Sequence, residues 1–201
     1  MTSFTILRES IFIVLLGFAS ISLISLMSYD FGDPGFGTTG INAEVHNYIG
    51  LFGSYFSSFL YSFFGIASYY LPLLLFSAGV AVIRSAVDAS NKLVIILRIS
   101  SFLVLLFSSS TLFSIHIGLN DLPEGSGGIV GLLVSSWFIE NLGLIGTTLL
   151  LIAMILSFLP LMIGFSWINL AEFIGKQLVF LFIGICSLIL GNSSVNINVS
   201  L

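Results

Sequence analysis

"IFIVLLGFASISLISLMS", residues 11–28, carries no charge and sits inside an uncharged run from Ser10 to Tyr29. About 20 mostly apolar residues are needed to cross roughly 30 Å of hydrocarbon as a helix. The stretch therefore reads as a membrane span. Arg8 ahead of it gives the look of a secretory signal, but the apolar part is too long for a signal core. The following "LMSYDFGDPG" has no Ala-x-Ala cleavage site, so an uncleaved first span is expected.

Working outward, three further stretches qualify. One lies within the uncharged segment from Val45 to Ile83 and is most apolar from about Phe59 to Val82. The next runs from about Ile99 to Ile117, and the fourth from about Leu144 to Trp167. Pro72 and Pro160 fall inside the second and fourth, where kinks are expected. Composition agrees, with 57% hydrophobic residues, 7% charged and a mean hydropathy of +1.18, against about 25% charged in an ordinary soluble domain. The fold class expected is all-α: a polytopic bundle of four transmembrane helices, with a short extracytoplasmic helix and a fifth apolar segment of open status.

The charges set an orientation, because Lys and Arg near span ends stay cytoplasmic. Arg8 precedes the first span, Arg84, Lys92 and Arg98 separate the second from the third, and Lys176 follows the fourth. All five basic residues thus fall on one side. The opposite loops carry Asp30, Asp33, Glu44, Asp121, Glu124 and Glu140 and no basic residue. Both ends of a four-span chain are then cytoplasmic. "LVFLFIGICSLIL", residues 178–190, is apolar but covers only about 20 Å as a helix. It is a fifth span, an interfacial or re-entrant helix, or a helix packed on the bundle, and the charges do not choose. The tail "GNSSVNINVSL" is short and polar.

The second outer loop contains "LPEGSGGIVG", residues 122–131, which resembles a phosphate cradle. Such a loop needs a terminal Gly-Lys-Ser/Thr to reach phosphates and magnesium, and none is present. Gly175-Lys176 does not rescue the motif, since Leu170 and Gln177 occupy the first glycine and hydroxyl positions. Leu122-Pro123 with Gly125, Gly127 and Gly128 instead makes a flexible turn before a short apolar helix over Ile129 to Ile139. Gly127 and Gly131 have the spacing that allows close helix approach.

Other chemistry finds little support. Asp30, Asp33, Glu44 and His46 are irregularly spaced as metal ligands, and turn chemistry accounts for Asp33-Pro34-Gly35 and Gly37. No metal and no cofactor is expected. The spans hold no Asp, Glu, Lys or Arg of the kind that marks ion pathways. His116, at the outer end of the third span, reads as a solvated or hydrogen-bonded residue. Cys186 is alone, which excludes an internal disulfide. There is no basic patch for nucleic acid.

Four motifs in order carry a resemblance: "SYDFGDPGF", "HNYIGLFGSYFSSFLYSFFGIASYYLPLLL", "LPEGSGGIVG" and "GFSWINLAE". Together, over about residues 10 to 176, the chain resembles the N-terminal four-span membrane domain of the FtsK/SpoIIIE family of bacterial DNA translocases. The resemblance implies a four-span domain over residues 1–176, followed by an apolar segment and polar tail over 177–201. It implies an inner-membrane protein of the division septum that contacts other septal membrane proteins. It also implies a hexamer formed through a motor whose Walker motifs, linker and DNA-binding end do not occur in these residues. The chain itself is expected to be an anchor without enzymatic or nucleic-acid-binding activity. Leu122, Pro123, Gly125, Gly127, Gly128 and Gly131 look like that family's glycine-rich outer loop and are its expected interaction loop. A small transporter or channel subunit is the alternative, and an unrelated membrane-bound enzyme a third reading.

Overall fold

The computed structural model describes residues 2–84, 92–119 and 122–190. Six α-helices account for most of them: α1 (Thr2–Met27), α2 (Gly50–Phe64), α3 (Tyr70–Arg84), α4 (Lys92–His116), α5 (Gly128–Ile163) and α6 (Trp167–Leu190). A 3-10 turn, Gly65–Tyr69, joins α2 to α3. Four stretches are long and apolar enough to cross a membrane: Thr5–Met27, Gly50–Arg84, Lys92–His116 and Gly128–Ile163. The chain is a polytopic, all-helical membrane protein, and the lipid bilayer is its solvent.

Two of the four stretches are broken near their middles, each at a glycine with a backbone that other residues avoid. Gly65 has φ 55° and ψ −137°, and Gly143 has φ 69° and ψ 169°. The 36 residues of α5 would extend about 54 Å if straight, far more than the hydrocarbon needs. The break at Gly143 divides them into a short helix, residues 128–142, and a spanning arm of about 30 Å, residues 144–163. The short outer helix expected from Ile129 to Ile139 lies within the first part.

Pro72 departs from expectation. It occupies the first turn of α3, where its missing N–H would have had no helical partner. It therefore helps start the helix, and the change of direction is made at Gly65. Pro160 lies one turn before the end of α5, where the Gly164 N–H bonds its carbonyl at 2.7 Å and Gly164 adopts φ 84°.

α1 and α3 pack antiparallel, with Gly79 giving room to Phe12 and Leu15. α4 and α5 are also antiparallel: Ser110 on α4 lies against Gly131 near one end, and Arg98 lies against Gly164 near the other. Tyr70, at the start of α3, receives a 3.0 Å hydrogen bond from Ser109 near the end of α4. These contacts place Arg8, Arg84, Lys92 and Arg98 at one end of the bundle and both outer loops at the other.

What is buried inverts the rule for soluble proteins. Ser25, Ser57, Ser109, Ser110 and Thr111 are fully buried, while Ile13, Phe18, Leu133, Ile145 and many other apolar residues are exposed. Lipid offers no hydrophobic drive between helices, so small residues that allow close approach and hydrogen-bond locally hold them together. Thr111 bonds the Phe107 carbonyl at 2.7 Å and Ser101 that of Leu97 at 2.6 Å.

The described residues up to Gly164 form one compact unit and those from Phe165 form another. In the second, residues 178–190 continue a helix that begins at Trp167. Lys176 pairs with Glu172 at 3.0 Å on its exposed side. The tail from Gly191 lies outside the described residues.

Candidate functional site

The end of the bundle opposite Arg8, Arg84, Lys92 and Arg98, the one expected to face outward, offers the surface most distinctive of this chain, and it is built on two short helices with one sequence framework. In α2 the order is Gly50, Gly53, Ser57, Ser58, Gly65; in α5 it is Gly128, Gly131, Ser135, Ser136, Gly143, at identical spacing. The first and last glycine of each set have positive φ, so each short helix begins and ends on a residue chosen for backbone conformation.

The first outer loop, residues 28–49, is gathered around one carboxylate and seated on α2 by serines. Asp33 is buried and accepts hydrogen bonds from Asn42 Nδ2 at 2.8 Å, from the His46 N–H at 3.0 Å and from the Asn47 N–H at 2.9 Å. Burial acts to raise its pKa, but these bonds outweigh burial and hold the carboxyl below the usual range. Asn47 passes the link to α1, donating from Nδ2 to the carbonyls of Ser25 at 2.9 Å and Ser28 at 3.3 Å. Ser25 in turn donates to the Gly53 carbonyl at 2.7 Å. The buried serine face of α2 completes the seat. Ser54 donates to the Pro34 carbonyl, and Ser58 accepts from the Phe36 N–H at 3.0 Å.

Above this layer Phe36 packs edge-on to Phe59, with centroids 5.4 Å apart, and against Phe63 at 5.6 Å. Phe31, Phe36, Ile41 and Tyr48 remain exposed. The loop is thus an ordered platform with an aromatic upper face.

Asp30, Asp33 and His46 bring ligand-type atoms within 4.8 Å of one another. Each has local hydrogen-bonding work. Asp30 accepts from the Gly32 N–H at 2.7 Å and lies 2.9 Å from His46 Nδ1. The bond to His46 is foremost in lowering the Asp30 pKa, and the same bond raises that of His46. Chemically this is a loop lock made of a carboxylate, an imidazole and backbone N–H groups. Glu44 is exposed outside it.

The second outer loop is short and bound differently. Ser126 donates to the Phe113 carbonyl at 2.8 Å and also to that of Ile117, covering the end of α4. Its own carbonyl accepts from the Ile66 N–H at 2.9 Å. A Cβ at Gly128 would stand 2.6 Å from the Phe63 carbonyl, and one at Gly127 or Gly131 would overlap the Ser110 carbonyl. The expected interaction loop therefore divides. Gly127, Gly128 and Gly131 are buried in backbone packing, Leu122, Pro123 and Gly125 are half-exposed, and Glu124 is exposed. His116, beside this loop, is hydrogen-bonded, with Nε2 2.9 Å from Thr148 Oγ1.

Sequence reasoning placed Asp33 in a turn, gave Asp33 and His46 little weight as metal ligands, and missed the lock they form. It also missed the pairing of the two glycine and serine frameworks, although their equal spacing was readable.

Comparison with known proteins fits this architecture. Residues 5–175 match the family described as the 4TM region of DNA translocase FtsK/SpoIIIE. Among similar proteins, the DNA translocase FtsK of Shewanella oneidensis is 31% identical over 78% of this chain and 17% of its own length. That of Rickettsia typhi is 35% identical over 80% of this chain and 21% of its own length, and that of Rickettsia prowazekii 33% over 87% and 23%. The chain thus spans about one fifth of the length of these relatives. No solved structure matches it. With its four spanning helices and the match over nearly all of them, this chain belongs to the family of FtsK/SpoIIIE four-span membrane domains.

Proposed function

We propose that the chain anchors a DNA translocase of the FtsK type in the bacterial inner membrane at the division septum, serving cell division and chromosome partition. The observation that carries this reading is the match over residues 5–175 to a membrane domain that occurs in DNA translocases. The polar face of the protein supports the orientation proposed. Arg8, Arg84, Lys92 and Arg98 gather at the end opposite the acidic loops, and basic ends stay in the cytoplasm. The outer loops are then the extracytoplasmic surface, and the ordered aromatic platform of residues 28–49 with Leu122, Pro123 and Glu124 meets other septal membrane proteins. Pumping of DNA belongs to a motor outside these residues. The chain by itself neither hydrolyses ATP nor binds duplex DNA, because it has no Gly-Lys-Ser/Thr phosphate loop and only five Lys and Arg residues.

A fluorescent fusion of residues 1–176 in dividing cells tests the anchor reading. Enrichment at the septum is expected. It should weaken when residues 122–131 are replaced by a flexible linker of equal length, with membrane insertion retained. Uniform membrane fluorescence from the unaltered chain would contradict the reading.

A further inference from the structure

Residues 50–84 are apolar enough to form one span, yet 35 residues in line would reach about 52 Å. The contacts of α2 show where the excess goes. Ser25 of α1 donates to the Gly53 carbonyl at 2.7 Å, and Tyr61 donates to the Leu26 carbonyl at 3.0 Å. Ser25 and Leu26 differ in height along α1 by about 1.5 Å, whereas Gly53 and Tyr61 lie about 12 Å apart along α2. A helix that spends most of its length at one level of α1 crosses it. The far end of α2 agrees. Ser110 of α4 donates to the Phe64 carbonyl at 3.0 Å, and its neighbour Ser109 donates to Tyr70. The chain therefore passes from Phe64 to Tyr70 with little change of height and descends only along α3.

The level of this crossing can be counted from the basic end. Gly79 faces Phe12 and Leu15, so Arg8 on α1 and Arg84 on α3 share a level about one and a half turns further on. From that layer Ser25 and Leu26 stand about 26 to 27 Å up α1, and Tyr70 stands about 21 Å up α3. Both ends of α2 thus fall inside roughly 30 Å of hydrocarbon, close to its far boundary. Non-helical backbone at such a depth needs partners within the protein. The joint between residues 64–66 and 126–128 supplies them. The Gly65 N–H donates to the Tyr61 carbonyl, and the Ile66 N–H donates to that of Ser126 at 2.9 Å.

The faces of α2 fit the same placement. Gly53, Ser54, Ser57, Ser58, Tyr61 and Ser62 are buried, and the helix has no charged residue. A helix lying at a membrane surface ordinarily turns charges to water. Here the loop of residues 28–49 covers that side, held by Ser54 and Ser58. Leu51, Phe52, Tyr55 and Phe59 form the exposed edge.

We propose that α2 lies in the plane of the membrane, sunk among the outermost acyl-chain segments of the leaflet on the loop side. The partner of its Leu51, Phe52, Tyr55 and Phe59 edge is the lipid of that one leaflet. The second crossing is made by α3, which covers about 22 Å, and the layer containing α2 closes the remaining thickness.

Depth-resolved quenching of tryptophan fluorescence tests the proposal. The full chain is placed in phosphatidylcholine vesicles that carry a nitroxide either near the headgroup or near the chain end. In a background with Trp137→Phe and Trp167→Phe, single tryptophans replace Phe52, Phe59 and, as a mid-bilayer reference on α1, Phe18, all exposed. Phe52→Trp and Phe59→Trp should be quenched alike, each more strongly by the headgroup-side nitroxide, while Phe18→Trp shows the reverse preference. Tyr55→Trp repeats the measurement at a third place on the edge. A spanning α2 would separate Phe52→Trp from Phe59→Trp by about 10 Å in depth. One shallow and one deep probe would therefore overturn the proposal. So would quenching of both mainly by the chain-end nitroxide, or of neither by any nitroxide, which would place α2 above the lipid.

Discussion

Residues 50–64 and residues 128–142 begin from the same glycine and serine framework and end in different surroundings. The first helix carries a 22-residue loop, 28–49, that is gathered internally by Asp33 and fastened to the helix through Asn47 and the serines 54, 57 and 58. The second is reached through a short turn and held mainly by backbone contact, with Gly127 and Gly131 against the Ser110 carbonyl. A long loop at a membrane surface needs internal hydrogen bonds to become ordered, and one buried carboxylate supplies several of them. A short loop gains order from close approach, which missing Cβ atoms allow and the Ser126 hydroxyl reinforces. The same local framework thus supports two means of fixing an outer loop, and substitutions at matched positions separate them.

The largest effect is expected at the matched glycines. Gly65→Ala combines an unfavourable positive φ with overlap of the Ser126 backbone and should cost about 4 kcal/mol. Gly143→Ala meets only the conformational strain of φ 69° and ψ 169° and should cost about 1 to 3 kcal/mol. Unfolding in a mixed-detergent titration measures both. Equal costs would mean that the joint at Gly65 adds nothing.

Next comes the lock of the first loop. Asp33→Ala leaves the Asn42 side chain and the N–H groups of His46 and Asn47 without their acceptor, a loss of about 2 to 3 kcal/mol. Protease cleavage within residues 28–49 should accelerate, while residues 122–131 keep their resistance. Loosening of both loops together would show that they are not fixed independently.

The smallest effect concerns pH. The Asp30 bond, helped by the nearby charges of Asp30, Asp33 and Glu44, raises the His46 pKa. The stabilisation from that raised value is fully present below about pH 6.5 and is lost as pH rises through the folded-state value. Asp30 is lowered, so its share is present above the ordinary carboxylate range and lost as pH falls through the folded-state value. The platform should therefore be slightly firmer at pH 6 than at pH 8.5. Because the pair is exposed, the difference should be small and screened by salt. Thermal scans of the wild type and His46→Gln check it, with the variant expected to lose the alkaline dependence.

The four spans were legible because hydrocarbon demands long uncharged stretches, and residues 11–28 meet that demand without any knowledge of packing. The short helix before the fourth span was legible for the same reason, since residues 129–139 are apolar but too few to cross. The separate helix at 50–64 was not, because its apolar run continues unbroken into α3 and only the conformation of Gly65 divides them. Pro72 reads as a kink within the second span, yet in the first turn of a helix it bends nothing. Asp33 looked like a turn residue beside Pro34, which it is. Its role as acceptor for His46 and Asn47 depends on a chain reversal that spacing alone does not encode. In the second loop the glycines were rightly read as serving backbone packing, but the sequence did not distinguish buried Gly127 and Gly128 from half-exposed Gly125.

The orientation of the bundle underlies both the anchor role and the surface assigned to it, and thiol labelling of intact cells tests it most directly. In the Cys186→Ser background, single cysteines replace Phe31, Glu124 and Lys92, all exposed, and a membrane-impermeant maleimide is applied to cells with a permeabilised outer membrane. Labelling at Phe31→Cys and Glu124→Cys, with Lys92→Cys reactive only after the inner membrane is opened, is the predicted result. Labelling of Lys92→Cys in closed cells, with Phe31→Cys and Glu124→Cys protected, would contradict the account.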